Sequence, residues 1–241
     1  MPASPADILA NLAVVDAERQ RRSSVPALNA RVVTLKSYHQ RRFSLTYADL
    51  LRSERYGAAS RFFLDELYGP GDFTPRDTQF ARVVPALGRL FPRNMVEAVA
   101  TLAELHALSE TLDTTMAAQL EAERISGSDY IRAWQGTGRA PDRQRQIVMT
   151  LDLAARLDQL THKPLLRNAL RMMRGPARAA GLSELQRFLE SGFDIFRAMN
   201  GAQEFIAVVG SRERALAAAL FAAGTDGADP SSTEVALAGL P

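Results

Sequence analysis

The sequence predicts an all-α fold: an irregular multi-helix bundle, or a globin-like packing, of about nine or ten helices around one long central helix. Three observations carry this. Helix-start chemistry recurs along the chain, with Ser4-Pro5-Ala6-Asp7, Thr74-Pro75-Arg76-Asp77 and Ser126-Gly127-Ser128-Asp129 each placing a capping hydroxyl three residues before an acid. Apolar residues recur at three- and four-residue spacing, as in Leu182, Leu185, Phe188, Leu189, Phe196 and Met199. No stretch of alternating β-branched residues lies between turn signals, so no strand is expected.

Taken in order, the first helix opens at Ser4 and runs to the Arg21-Arg22 region, where Pro26 interrupts it. A second, basic helix covers Ala27 to about Arg42. Thr46 and Asp49 start a short helix, and a longer one spans Arg55 to Leu67. The one conspicuous loop, Tyr68 to Phe73, precedes a helix that restarts at Thr74 and contains Pro85, which should kink it. Pro92 and Asn94, with Glu97, open the longest element, Met95 to about Arg124. Shorter helices follow from Ser126 to Gly136, from Asp142 to Leu160, and from Pro164 to Ala179 with a break at Gly175-Pro176. Ser183 and Gln186 start the next, Asn200-Gly201 turns the chain, and a last helix ends near Ala222. Residues 1–223 are read as a single helical domain with a basic N-terminal hairpin over about 5–43, and 224–241 as a disordered tail.

Charge is distributed in blocks. Met1 to Arg61 holds ten Lys/Arg and five Asp/Glu; Phe62 to Ile131 holds five and eleven; Arg132 to Arg178 ten and three; the remainder four and eight. Such alternation suits pairing within the fold or across a dimer better than binding to a polyanion, because no nucleic-acid motif accompanies it. The chain has no cysteine, which removes disulfides, thiolate metal sites and thiol nucleophiles together. It has no secretory pattern at its start and no apolar run of about 18 residues, so the cytoplasm is the expected compartment and no membrane partner is expected.

Arg61-Phe62-Phe63-Leu64-Asp65-Glu66-Leu67-Tyr68-Gly69-Pro70-Gly71-Asp72-Phe73-Thr74-Pro75-Arg76-Asp77, with Leu105-His106-Ala107-Leu108-Ser109-Glu110 and Phe193 to Met199, resembles a family of uncharacterised bacterial helical proteins. The resemblance spans most of the chain except the tail. It implies no activity, ligand or catalytic residue.

The candidate ligand site is a polar line on the long helix. Leu102, Leu105, Leu108, Leu112, Met116 and Leu120 form its expected core stripe, and beside them His106, Glu110 and Asp113 follow at spacings of four and three. If buried, the three need partners, for which Arg or Tyr from another helix is the natural supply. Exposed, they are a charged flank. A second candidate surface, for nucleic acid, is the basic hairpin, with Arg21, Arg22, Arg41 and Arg42 as contacts. A di-iron bundle needs Glu-x-x-His pairs, which are absent, so no metal is expected. A haem needs one axial imidazole in an apolar pocket, which Phe62, Phe63, Phe188 and Phe196 could help line; so unspecific a pattern leaves the expectation at no cofactor. Glycine-rich phosphate loops and a strand-borne serine elbow are missing.

The functional expectation is therefore a non-enzymatic helical protein that binds a partner protein or a small ligand, as a homodimer. The alternatives are an enzyme or ligand sensor using His106, Glu110 and Asp113, and a nucleic-acid binder using the basic hairpin.

Overall fold

The computed structural model describes residues 4–67, 71, 73–90, 93–121, 124–224 and 230–241. Among these, every regular element is helical. Helix α1 (Pro5–Ser23) begins at a complete capping box: Asp7 N–H donates to Ser4 Oγ and Ser4 N–H to Asp7 Oδ2. Two residues separate it from α2 (Pro26–Thr46). Then come α3 (Ala48–Arg52) and α4 (Gly57–Phe62), the latter continuing into one π-helical turn over Phe63–Leu67. Helix α5 (Thr74–Leu90) runs on through Pro85.

Helix α6 (Arg93–Ala118) is the longest element, as the sequence indicates, and it touches α1, α2, α5, α7 (Gly127–Thr137) and α8 (Ala140–Thr161). It stops earlier than Arg124. The guanidinium of Arg31 donates to the Leu120 carbonyl at 2.6 Å, placing a cation at this helix end, where the dipole is negative. The stretch from Pro164 to Ala179 divides into α9 (Pro164–Met172) and α10 (Arg174–Ala179). The break falls at Met173, just ahead of Gly175-Pro176, because Pro176 has no N–H to give the Met172 carbonyl. Gly181 adopts φ +68° after α10, and Leu182 N–H reaches back to Ala177 O, closing a Schellman turn that a side chain would strain. Helices α11 (Ser183–Ala198), α12 (Gln203–Ala222) and α13 (Pro230–Leu237) complete the chain.

Three apolar clusters fill the interior. One joins Leu35 and Tyr38 of α2 to Met116 of α6, Tyr130 and Trp134 of α7 and Leu220 of α12. A second groups Phe43 and Tyr47 with Phe196, Met199 and Phe205. The third sets Ile8 and Leu12 of α1 against Val96, Ala100 and Ala103 of α6. Alanines at this last contact let two helix backbones come close.

Several expectations change. Thr46 and Ser183 do not cap: α3 and α11 begin after Tyr47 and Leu182 without a side-chain cap. Most of the loop from Tyr68 to Phe73 lies outside the described residues, as do Pro92 and residues 225–229. The reading of 224–241 as a disordered tail is corrected for 230–241, where α13 lies along α12 and Leu237 and Leu240 pack against the cluster around Trp134. Those leucines supply the apolar surface that the Gly-, Asp- and Ser-rich stretch before them lacks.

Ending the chain at Gly224 should therefore destabilise it. Losing two partly buried leucines is worth about 2–4 kcal/mol, or several degrees in Tm for a chain of this size. Urea melts of the full and shortened chains check this, and identical midpoints would remove α13 from the folded unit.

Candidate functional site

Helix α6 does not present His106, Glu110 and Asp113 as a flank. Its buried positions include Ala103, Ala107, Glu110, Asp113, Thr114 and Ala117; of the expected stripe, Leu112, Met116 and Leu120 are buried, whereas Leu102, Leu105 and Leu108, like His106, are only partly covered. Glu110 and Asp113 also point inward because α1 and α2 both pack on α6. As a result each of the three residues meets a different set of partners.

Glu110 is 4% exposed and sits between two cations, with Arg22 Nη1 2.6 Å from Oε2 and Lys36 Nζ 2.5 Å from Oε1. Arg22, 5% exposed, also donates to Thr114 Oγ1, one turn further along α6. Burial raises the Glu110 carboxyl pKa, but the Lys36 and Arg22 charges and the Lys36 hydrogen bond outweigh it and bring it to about 2.

Asp113 is buried with weaker support. Its carboxylate lies 3.8 Å from His39 Nδ1, and burial raises its pKa despite the opposing charges of Lys36 and Arg143. His39 is held well below the usual imidazole range, first by burial and then by Arg143, Arg42 and Lys36. Its ring meets Tyr130 edge-on, and its Nε2 has no hydrogen-bond partner among the described residues. His106 faces the other way, to α5, with Nε2 2.9 Å from Asp77 Oδ2. Arg19 of α1 reaches the same oxygen at 2.6 Å. Burial opposes ionisation of Asp77, but His106 and Arg19 together lower its pKa.

The three predicted residues are thus brought into one polar seam that α6 shares with α1, α2, α5 and α8, and their ionisable groups face protein partners. The chemistry this arrangement performs best is the joining of helices. Of the basic hairpin, Arg22 is taken up by Glu110, and Arg42 is buried against Glu213, which also accepts from Tyr47 Oη at 2.7 Å. Arg21 and Arg41 remain exposed. The aromatics considered for haem pack on one another, Phe62 with Phe188 and Phe63 with Phe196 and Phe205. An apolar cleft of about 390 Å³, open mouth included, lies apart from the seam, between Phe43, Phe63, Phe205, Val209 and Glu213.

Sequence reasoning missed a surface. Leu165 is 81% exposed and Met172 79%, both on α9, and Met173 beside them is half exposed. The signal was present: Leu165, Ala169 and Met172 recur at helical spacing, and no Asp or Glu occurs between Asp158 and Glu184.

The seam generates two expectations. Glu110→Gln should cost about 3–5 kcal/mol, since it leaves the buried Arg22 and the partly buried Lys36 without a counter-charge, whereas His106→Ala should cost about 1 kcal/mol because Arg19 still pairs with Asp77. Equal losses in urea melts would show that the two positions do not differ as described. The pH dependence has two acid-side components. His39 stays neutral when folded but takes a proton when unfolded, so stability falls as pH drops below about 6.5, and His39→Gln should flatten that slope. Glu110 stabilises fully above about 4.5, and this contribution, about 3 kcal/mol, is lost as pH falls toward 2. Asp113, whose pKa is raised, works in the opposite direction, favouring the folded state as it protonates. A His39→Gln slope between pH 7 and 5 equal to that of the unaltered chain would refute the buried neutral imidazole.

No curated protein and no solved structure matches this chain. A family model does, over residues 18–227, and it carries the description Domain of unknown function (DUF8198). The match takes in α2 to α12 and the last turn and a half of α1, with the buried residues Arg22, His39, Glu110 and Asp113 and the partly buried Lys36 all inside it. On that coverage, the chain belongs to the DUF8198 family.

Proposed function

We propose that this protein works by binding a macromolecular partner on the exposed face of α9 and α10, with the rest of the chain as its rigid support. The observation that carries the reading is the exposure of Leu165 and Met172 on one line of α9. Single exposed apolar residues are ordinary, but two large ones in line, beside a half-exposed Met173 and the exposed Ala169, form a contiguous apolar strip. Among the described residues, α9 has none that is fully buried and α10 has Ala177. Leu165 and Met172 are therefore hardly used to hold the fold, whereas Leu166, Leu170 and Ala177 are the covered side of the segment.

The other readings have less support. His106, Glu110 and Asp113 spend their charge on Asp77, Arg22, Lys36 and the His39 environment, which favours a structural role for them. Two of the four arginines proposed for nucleic acid are consumed in buried ion pairs. Among the described residues no helix is long and apolar enough to cross a membrane.

In extract from its own cells, the tagged chain should elute above its monomer size. The pair Leu165→Glu and Met172→Glu should return it to monomer size with Tm changed by only about a degree, because neither side chain is packed. The control Val235→Glu, at a residue 78% exposed on α13, should leave the complex intact. Elution of the unaltered chain as a monomer would sink the reading.

A further inference from the structure

Resting on the docking reading above, we propose that the occupant of the α9–α10 face is a partner protein that offers an apolar groove rimmed with carboxylates. Charge complementarity is the argument. Lys163, Arg167, Arg171, Arg174 and Arg178 fall within one stretch that contains no acid. Two of them are tied inward: Arg167 Nε lies 2.9 Å from Asp194 and Arg174 Nε 2.8 Å from Glu190, which fasten the segment to α11. Lys163, Arg171 and Arg178 are exposed and make no ion pair within 4 Å among the described residues, although Arg171 lies near enough to Glu190 to help hold its carboxyl ionised. Arg171 is next to Met172, so the helical turn sets it about 100° round from the apolar strip, along its flank.

This surface therefore has an apolar line with unpaired cations beside it. Its best complement has an apolar floor for Leu165 and Met172 and acidic groups on the wall that meets Arg171 and Arg178. Methionine and arginine are the residues most suited to such contacts, the first for its adaptable shape and the second for bidentate pairing with carboxylates.

Other occupants fit less well. A second copy docking through the same face would set its cations against their own images, because a two-fold interface pairs a surface with itself. A lipid surface needs more apolar area than two aliphatic side chains supply, and the segment from Lys163 to Leu182 has no aromatic residue to seat at the headgroup level. A nucleic-acid backbone would use the cations but leave the apolar line in water.

The test places a photo-crosslinker in the full chain as Leu165→p-benzoylphenylalanine, irradiates it in the cells that make the protein, and maps the adducts by mass spectrometry. The expected result is an adduct to a different protein, with Asp or Glu residues flanking the crosslinked position. Its yield should fall about tenfold when Arg171→Glu and Arg178→Glu are added, since like charges then face each other. Three outcomes overturn the proposal while leaving the docking reading intact. They are an adduct of twice the chain's own mass, an adduct to a protein site without carboxylates, and a yield indifferent to the two charge reversals. Sedimentation of the purified chain with phosphatidylcholine vesicles containing about one-third phosphatidylglycerol, or absence of any adduct with monomeric elution of the unaltered chain, overturns both.

Discussion

The carboxylate of Glu110 meets Arg22 of α1 and Lys36 of α2 in one buried space, so three helices converge on a single anion. Ion pairs on a surface contribute little, because water screens them and the side chains lose freedom in forming them. In the interior the balance differs. Charges that have lost their water must be satisfied by one another, and an arrangement that separates them is strongly disfavoured. The effect is restrictive more than adhesive: α1 and α2 can sit on α6 in few ways that leave none of these charges alone. The neighbouring alanines Ala103 and Ala107 permit the close approach, and the ions fix its register.

The same logic extends along α6. Asp77 takes His106 and Arg19 at one end of the seam, and Asp113 lies among His39, Lys36 and Arg143 toward the other. Further out, Arg42 is buried against Glu213 and joins α2 to α12. Acidic and basic blocks that alternate along the sequence are thus matched across helices. The apolar clusters provide most of the favourable free energy, as in any domain of this size, but they are tolerant of small shifts in a way that buried charges are not.

The spacing of apolar residues and the cap chemistry made most helices legible, and α6 was identifiable as the longest. His106, Glu110 and Asp113 were legible as one line, but the inward direction of Glu110 and Asp113 was not, because a helix surrounded on several sides has no single core stripe. The arginine doublets illustrate what was missed. Adjacent residues on a helix diverge by about 100°, so Arg21 and Arg22 cannot share an environment, and neither can Arg41 and Arg42. Arg22 continues the buried line of Ile8, Leu12 and Val15, and Arg42 that of Leu35, Tyr38 and His39. Spacing alone therefore assigns one member of each doublet to the interior. The partner each finds there depends on a helix distant in sequence, which local patterns do not encode. Helix α13 was missed for a related reason: two leucines are too few to form a periodic stripe, yet they suffice when a cluster is already waiting for them.

These contacts divide the molecule into parts of unequal stability. Helices α1, α2 and α6 share buried charges and two apolar clusters, and opening any one of them exposes an unpaired ion. Among the described residues, α9 and α10 bury Ala177 alone fully, and they are fastened by ion pairs from Arg167 and Arg174 to α11 and by hydrogen bonds from Gln186 to the Leu170 carbonyl and from Arg82 to the Ala180 carbonyl. Such a segment belongs to the part of a fold that opens most easily, the part from which binding surfaces are commonly drawn. An exposed Leu165 and Met172 would weaken solubility to no purpose if the segment were only a connector. The combination of a rigid, charge-registered centre with a loosely held, cationic and apolar helix at its edge is what a docking element on a stable support requires.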